Sequence, residues 1–503
     1  MTSGQWAAIV VMLPLLAAIL SFIGGRALLL SLATMIGVLI SVSKLAMLVW
    51  ANGPQYYTVS GWAAPLGIEW YADGLSVLML LMTALVNSCI IWYALKYFKH
   101  FSPPLPKENL KKNAGKPVTS NHLLPFRYYL PIWLLLWSGL NALFLSADLF
   151  NLYITLEIVT LAVVPLIILS GSVIALRVGM RYLLISITAS MFYLLGIALL
   201  YGAVGTLDIA SLANEIGSGS TILVAMFLII LGLIIKTALF PFHFWLPTTY
   251  SYAPAPVSAL LSALVIKSTF YLLLRLWFEV NPREILPTAS QLFGILGTIA
   301  IAWGSWQALQ QQHLKPLIAY STVAQVGYFF ILFPLANGIT DSWSVVAFQG
   351  GIYLTLSHAF ATAALFMVAG NLQHILGTDN LSTMHGFGRR YPLTLIALAI
   401  AGVSIIGLPP SGGFLGNWLL LKATYASGQW WWAIIIVLGG LLAIAYMWKV
   451  LRYTLDLKFT LAEHPHVLPI TMKLAPLLLA MMALILGTFA TPLLNLLEIG
   501  APF

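Results

Sequence analysis

Apolar runs of roughly 20 residues, the length that crosses a bilayer core as a helix, recur from one end of the chain to the other between short polar breaks. They fall near residues 4–23, 27–49, 73–95, 128–147, 149–170, 181–203, 221–249, 256–278, 288–311, 315–335, 345–372, 392–425, 430–453 and 470–495, and predict fourteen transmembrane helices. The seventh and twelfth are too long for one straight crossing and carry the Pro-rich interruptions "FPFHFWLPTTYSYAPAP" and "GLPPSGGF". Proline removes an amide donor and clashes with the preceding turn, so both read as broken helices.

Composition agrees with that pattern. Of 503 residues, 61% are hydrophobic and 7% are charged, against about 25% charged residues in ordinary soluble domains. The predicted fold class is an all-α polytopic membrane protein. The first apolar stretch, "WAAIVVMLPLLAAILSFIGG", has no basic residue before it and no small-residue cleavage pattern, and reads as a retained helix rather than a signal peptide. Cys89 is the only cysteine, so disulfides and cysteine-ligated metals play no part within the chain. Metal-ligand spacings and Gly-rich phosphate loops are also lacking, and no cofactor or metal is expected.

Basic residues near helix ends gather on the cytoplasmic side. With the N-terminus outside, the inner loops hold Arg26, Lys96, Lys99, Lys107, Lys111, Lys112, Lys116, Arg127, Arg177, Arg181, Lys315, Arg389, Arg390, Lys449, Arg452, Lys458 and Lys473, seventeen of the 23 basic residues, while the outer loops hold Arg283. An even helix number returns the C-terminus to the outside of the cell (inner) membrane. The net charge of +9 is spread over several short loops with no single basic patch, so it reflects topology and anionic headgroups rather than nucleic-acid binding. Residues 102–124, rich in Pro and Lys, form the one long polar loop, read as a solvated cytoplasmic loop.

The charges inside the apolar runs carry the chemistry. Lys44 and Arg275 lie near predicted outer ends and can snorkel, but Lys236, Lys267 and Lys422 cannot easily do so, and Glu157 and His358 lie within helices. An unpaired charge at the bilayer centre costs roughly 2.5–3.5 kcal/mol on insertion scales. A single Glu157–Lys236 lock would account for one pair, yet one carboxylate cannot neutralise three ammonium groups. A proton path accounts for the set: burial makes a lysine give up its proton, and a nearby carboxylate makes it hold on. Helix breaks beside Lys236 and Lys422 would supply the hydrated surroundings that proton exchange needs. A broken helix stands fourth in helices four to eight and again fourth in helices nine to thirteen, which start on opposite sides. That is the pattern of two inverted five-helix repeats. The expected organisation is residues 1–127 with three helices and the basic loop, 128–278 and 288–453 as the two halves, and 454–503 with the last helix.

At these residues the chain resembles the antiporter-like subunits shared by respiratory complex I, membrane-bound hydrogenases and Mrp-type Na+/H+ antiporters. The strings that carry the resemblance are "LFNLYITLE", "KTALFPFHFWLP", "APAPVSALLSALVIKS", "LKPLIAYSTVAQVGY", "LSHAFATAALF" and "GLPPSGGFLGNWLLLKA", in family order across residues 148–425. The resemblance implies a proton channel in which Glu157 and Lys236 form a pair, Lys267 connects the halves, His358 relays, and Lys422 serves the second half. In carrying a lysine at 422 the chain is similar to the D-type chains of Mrp antiporters. Several positions depart from the family pattern: Thr248 and Thr249 stand where an acid is common, His313 where an aspartate is usual, Asn417 at a frequent lysine position, and Thr362 where some branches carry a second relay group.

Three further groups are secondary candidates. His243 is either a relay to the inner water or a hydrogen-bonded scaffold residue of the break, with Trp245 a packing or interfacial anchor. Lys315 stands at an inner helix end, and Asp148 at an outer one as an exit group or, preferably, a helix cap. The function expected is proton translocation within a multisubunit Na+/H+ antiporter, with other membrane subunits, the lipid bilayer, protons and Na+ as partners. A subunit of a redox-driven complex or of inorganic-carbon uptake is the alternative, and a non-conducting scaffold a third.

Overall fold

The computed structural model describes residues 3–59, 61–62, 67–100, 124–217, 219–280, 286–337, 341–455 and 467–502. The polar loop at 102–124 lies outside these residues except at its last position. Among the described residues, twelve helices are long and apolar enough to cross a membrane, and the pair Ile470–Ile485 and Ala490–Glu498, bent by 74°, adds a thirteenth if counted as one span. The twelfth predicted segment is divided into Pro392–Ile406 and Gly412–Ala426, each too short to count alone.

Helix burial sorts the bundle into layers. The most apolar windows of Ala255–Val280 and Ser342–Leu376 are 100% buried inside the chain, whereas those of Ala27–Asn52 and Trp430–Leu455 are 33% buried. Lys267 and His358 are therefore carried by the two most enclosed helices. Close packing relies on small residues, as it must where lipid removes most of the hydrophobic drive. A Cβ added to Gly297 would lie 2.6 Å from the Gly327 carbonyl oxygen, so Leu286–Gln310 and Leu314–Leu335 touch backbone to backbone.

Prolines inside spans free a carbonyl four residues earlier, and in a bilayer that carbonyl needs a protein partner. Pro14 frees the carbonyl of Val10, which accepts from Asn141 Nδ2 at 2.8 Å. Pro476 frees that of Met472, which accepts from Asn371 Nδ2 at 2.8 Å. Two buried asparagines thus tie the first and last long helices to the bundle.

Three expectations change. The fold is not entirely helical: Gln55–Thr58 pairs antiparallel with Glu69–Ala72, in register from Gln55 opposite Ala72 to Thr58 opposite Glu69. Aromatic residues in "QYYT" and "EWYA" favour this hairpin. The sixth helix runs Val173–Val204 and begins eight residues before the expected 181, with the Ser172 side chain capping the Ala175 amide at 3.0 Å. Arg177 and Arg181 consequently lie on a helical extension rather than in a loop. Finally, Arg275 does not snorkel: it is 5% exposed and paired with Asp73 and Glu279.

Candidate functional site

Helix Ser220–Thr237 stops where Ala238 adopts a left-handed conformation, φ 58°. The chain then turns through Phe242–Trp245 before Leu246–Tyr252 resumes the crossing. Lys236 sits in the last turn before the break, where the partial negative charge of the helix end favours an ammonium. Side chains brace two carbonyls near the helix end. Thr237 Oγ1 donates to Leu233 O at 2.7 Å, and the indole N–H of Trp245 donates to Ile235 O at 3.1 Å. Trp245 is 3% exposed and braces the break, which places it in the packing role rather than the interfacial one.

Lys236 Nζ donates to Glu157 Oε1 at 3.2 Å and to Thr160 Oγ1 at 3.1 Å. Glu157 and Thr160 lie one turn apart on Leu149–Ile168, so one helix face presents both. Ser190, on Val173–Val204, donates to the same Glu157 oxygen. The pair is enclosed on one side only: the lysine side chain is 7% exposed and the glutamate 22%.

A second group occupies the centre of the bundle. A π-helical turn at Leu261–Val265 precedes Lys267, a local widening common at functional sites. Lys267 donates to Ser262 O within that turn and lies 2.8 Å from His358 Nδ1. An ammonium donating to Nδ1 leaves the histidine proton on Nε2, and Nε2 is buried without a protein partner among the described residues. Thr237 Oγ1 lies 3.1 Å from Thr269 Oγ1, joining the helix of Lys236 to that of Lys267.

Lys422 stands apart from these groups. It is exposed on the flank of Gly412–Ala426, one turn before the helix end, with its Nζ 5.8 Å from the centre of the Trp418 ring. The expectation of a buried lysine fails for two physical reasons. The break lies at the opposite, N-terminal end of this half-helix, whose positive pole disfavours an ammonium. The packed face is lined by Gly412, Gly416, Leu420 and Ala423, which leaves Lys422 outward among the exposed aromatics Trp418, Tyr425, Trp430 and Trp431, like an interfacial anchor. Asn417, not Lys422, is close to the turn: its Oδ1 is buried without a partner among the described residues. Lys422→Ala is expected to change transport by no more than about twofold, as surface substitutions do. A large loss in normally assembled complexes would return Lys422 to the path.

The secondary candidates divide. Lys315 is buried and donates to the Ser251 and Ala253 carbonyls at 3.2 and 2.5 Å, fastening the end of the broken seventh helix. His313, where the family pattern has aspartate, is 3.1 Å from Asp379, which also accepts from the Lys315 amide at 3.0 Å, so another segment supplies the acid. His243 is 9% exposed and stacks on Phe240 with ring centres 5.4 Å apart, and its Nδ1 has no partner among the described residues. Asp148 caps its helix by accepting from the Asn151 amide at 2.8 Å. Burial pushes its carboxyl up from the usual value, and the Asn151 and Phe150 amides pull it back.

Two features were missed in the sequence. At the hairpin end, a cavity of about 320 Å³ is lined by Tyr56, Glu69, Tyr71, Asp208, Arg275 and Glu279. The other is a row of hydroxyls on Val173–Val204 at residues 182, 186 and 190, whose four-residue spacing was visible in "YLLISITAS".

A polytopic membrane protein with a broken helix and paired ionisable groups in its interior is the class these observations define. The chain belongs to the NADH:quinone oxidoreductase/Mrp antiporter transmembrane family, whose model matches residues 146–443, and it is an antiporter-like membrane subunit of that family. It is 35% identical over 406 residues, 79% of this chain and 75% of the relative, to the N subunit of NADH-quinone oxidoreductase from Desulforudis audaxviator. It is 31% identical over 450 residues, 88% of this chain and 84% of the relative, to the D-type chain of the Na(+)/H(+) antiporter from Bacillus subtilis. Its fold matches a chain of the Mrp complex from Dietzia with a TM-score of 0.86 at 22% identity, covering 99% of this chain and 98% of that one.

Proposed function

We propose that this chain is the proton-translocating subunit of a multisubunit Na+/H+ antiporter in the cell membrane, embedded among other membrane subunits. The observation that carries the reading is the Glu157–Lys236 ion pair at a helix break. Protons pass from this pair by way of the Thr237–Thr269 contact to Lys267 and His358, and leave through the second half from His358 Nε2. Lys422, exposed on the flank of Gly412–Ala426, lies outside this route. Fourteen crossings follow if the bent final pair and the divided twelfth segment each count as one beside the twelve long spans. Residues 128–278 and 288–453 are the two inverted halves, and both termini face outward.

The energies are commensurate. At 3.2 Å and an effective dielectric near 20, the gross attraction of the pair is roughly 5 kcal/mol. A proton crossing a 100 mV potential delivers roughly 2.3 kcal/mol. Opening or closing one ion pair is therefore a change of the right size to couple transport to the potential.

A redox-driven proton pump is the second reading, favoured by the 35% identity to an NADH-quinone oxidoreductase subunit. Vesicles containing the complete complex separate the two. An antiporter gives a ΔpH on adding Na+, and Glu157→Gln loses it at normal assembly. No Na+ response, with pumping on adding a redox substrate, selects the second reading. Wild-type transport by Glu157→Gln leaves a membrane scaffold.

A further inference from the structure

The Lys267–His358 pair is flanked by polar groups on one side and by aromatic rings on the other. Helix Leu314–Leu335 packs against Ser342–Leu376, and from its start to its middle it carries Lys315, Ser321, Thr322 and Gln325. Thr322 Oγ1 lies 3.3 Å from the hydroxyl of Ser262, whose carbonyl accepts from Lys267. From Phe329 to Leu335 the same helix reads "FFILFPL", with no polar side chain. The change of character falls at the level of the pair. Lys267 Nζ lies 5.9 Å from the centre of the Phe329 ring, and that ring meets the His358 imidazole edge-on at 5.5 Å.

Beyond Phe329 the rings are continuous. Phe329 meets Phe270 with ring centres 5.3 Å apart, Phe270 meets Phe330 at 5.8 Å, and Phe330 meets Phe293 at 5.4 Å. Phe293 in turn meets Phe333 at 5.1 Å and Trp277 at 4.8 Å. All six are buried, none more than 4% exposed. They come from Ala255–Val280, Leu286–Gln310 and Leu314–Leu335, and the rise from Phe270 to Trp277 is about 10 Å. At the far side Phe333 stacks on Phe278 at 6.2 Å, next to Glu279 of the Arg275 cluster. Arg275 and Glu279 line the cavity of about 320 Å³, so a wet gap among these rings would join the central pair to that cavity. Phenylalanine rings and indoles take up no proton, and apolar constrictions shed their water.

We propose that Phe270, Trp277, Phe293, Phe329, Phe330 and Phe333 form a seal that keeps water, and with it protons, out of the interval between the Lys267–His358 pair and the Arg275 cluster. The inference rests on the proton-path reading above and adds what stops that path from short-circuiting. A proton held by the pair is left with the polar side, either back toward Glu157 and Lys236 or onward from His358 Nε2. The face of Phe329 attracts the ammonium form of Lys267, so this ring holds the proton-bearing group at the edge of the seal and gives it no way through.

The test imposes an acid interior on Na+-free vesicles containing the complete complex, with the membrane potential clamped by K+ and valinomycin. It reads the rate at which the ΔpH decays, at matched assembly. Phe330→Gln places an amide in the seal, and Phe330→Leu leaves it apolar. Phe330→Gln should leak protons about tenfold faster than wild type, because a wetted gap removes part of the barrier that an apolar interior sets against charge. Phe330→Leu should stay within about twofold of wild type, since the constriction remains dry. Adding Lys267→Met to Phe330→Gln should return the leak to the wild-type level, because the leak starts from the pair. Wild-type decay in Phe330→Gln would overturn the seal. Equal leaks in Phe330→Leu and Phe330→Gln, or a leak that survives Lys267→Met, would reduce the effect to loosened packing and overturn it as well. Failure of the proton-path reading shows separately, as wild-type Na+-driven transport in Glu157→Gln.

Discussion

Lys236→Met should reduce proton translocation to about 1% of wild type or less, as loss of a positioned proton-transfer group does, in a complex that still assembles. Methionine keeps the stem and packing of lysine and removes only the charge and the donor. Removing one partner of a fully buried pair normally destabilises by about 3–5 kcal/mol. Here Glu157 keeps its bond from Ser190 and is 22% exposed, so the stranded carboxylate has other support and the structural cost should be smaller. Transport has no such reserve, because Lys236 is the ammonium bonded to both Glu157 and Thr160 at the break. Glu157→Gln should be similarly inactive, and the double variant no worse than the more damaged single one, since groups that act as a unit are not additive. Losses that multiplied in the double variant would mean that the two groups work on separate routes. Full transport in Lys236→Met with normal assembly would make the pair a helix lock.

The same pair shows which parts of the site can be read without coordinates. Charge in an apolar run is conspicuous because the membrane penalises it, so Glu157, Lys236, Lys267 and His358 stood out by type alone. Type says nothing about direction. Lys422 is equally conspicuous in sequence, yet the small residues Gly412, Gly416 and Ala423 mark the packed face and turn it outward. That signal was present and was outweighed by the expectation of symmetry between two breaks. In fact Lys236 precedes its break at a helix C-terminus, whereas Lys422 follows its own well beyond a helix N-terminus. The hydroxyl stripe escaped attention for the opposite reason: Tyr and Ser cost little in a helix, and only their spacing distinguishes them. Arg275 was misread because Asp73 is 202 residues away in sequence, although Glu279 at the fourth following position was within reach of a helix-pair argument.

Arg275→Ala should be the most destabilising of the substitutions considered, costing about 3–5 kcal/mol as expected for stripping one partner from a buried charge cluster. Its Nη2 reaches Asp73 at 2.5 Å, its Nη1 reaches Glu279 at 2.6 Å, and its Nε donates to the Tyr271 hydroxyl at 3.0 Å. Tyr271 in turn donates to Phe144 O at 2.8 Å. One guanidinium therefore joins the Ala255–Val280 helix to the start of Gly74–His100 and, through Tyr271, to the end of Leu124–Leu145. The Asp73 side chain is 1% exposed, so without Arg275 its carboxylate has no solvent to retreat to. Burial, with Asp73 as a further cause, pushes the neighbouring Tyr71 phenol up from its usual value, so Tyr71 stays neutral, and a phenol has no cationic form with which to replace the guanidinium. Lysine should not rescue, because a single ammonium cannot occupy three directions at once. The predicted result is a sharp fall in assembled complex and in its thermal midpoint for Arg275→Ala and Arg275→Lys. Arg275→Met combined with Asp73→Asn and Glu279→Gln should recover most of the loss, since a neutral set leaves no stranded charge. Normal stability in Arg275→Ala with transport abolished would instead make this cluster, which borders the cavity lined by Glu69 and Asp208, part of the proton route rather than its fastening.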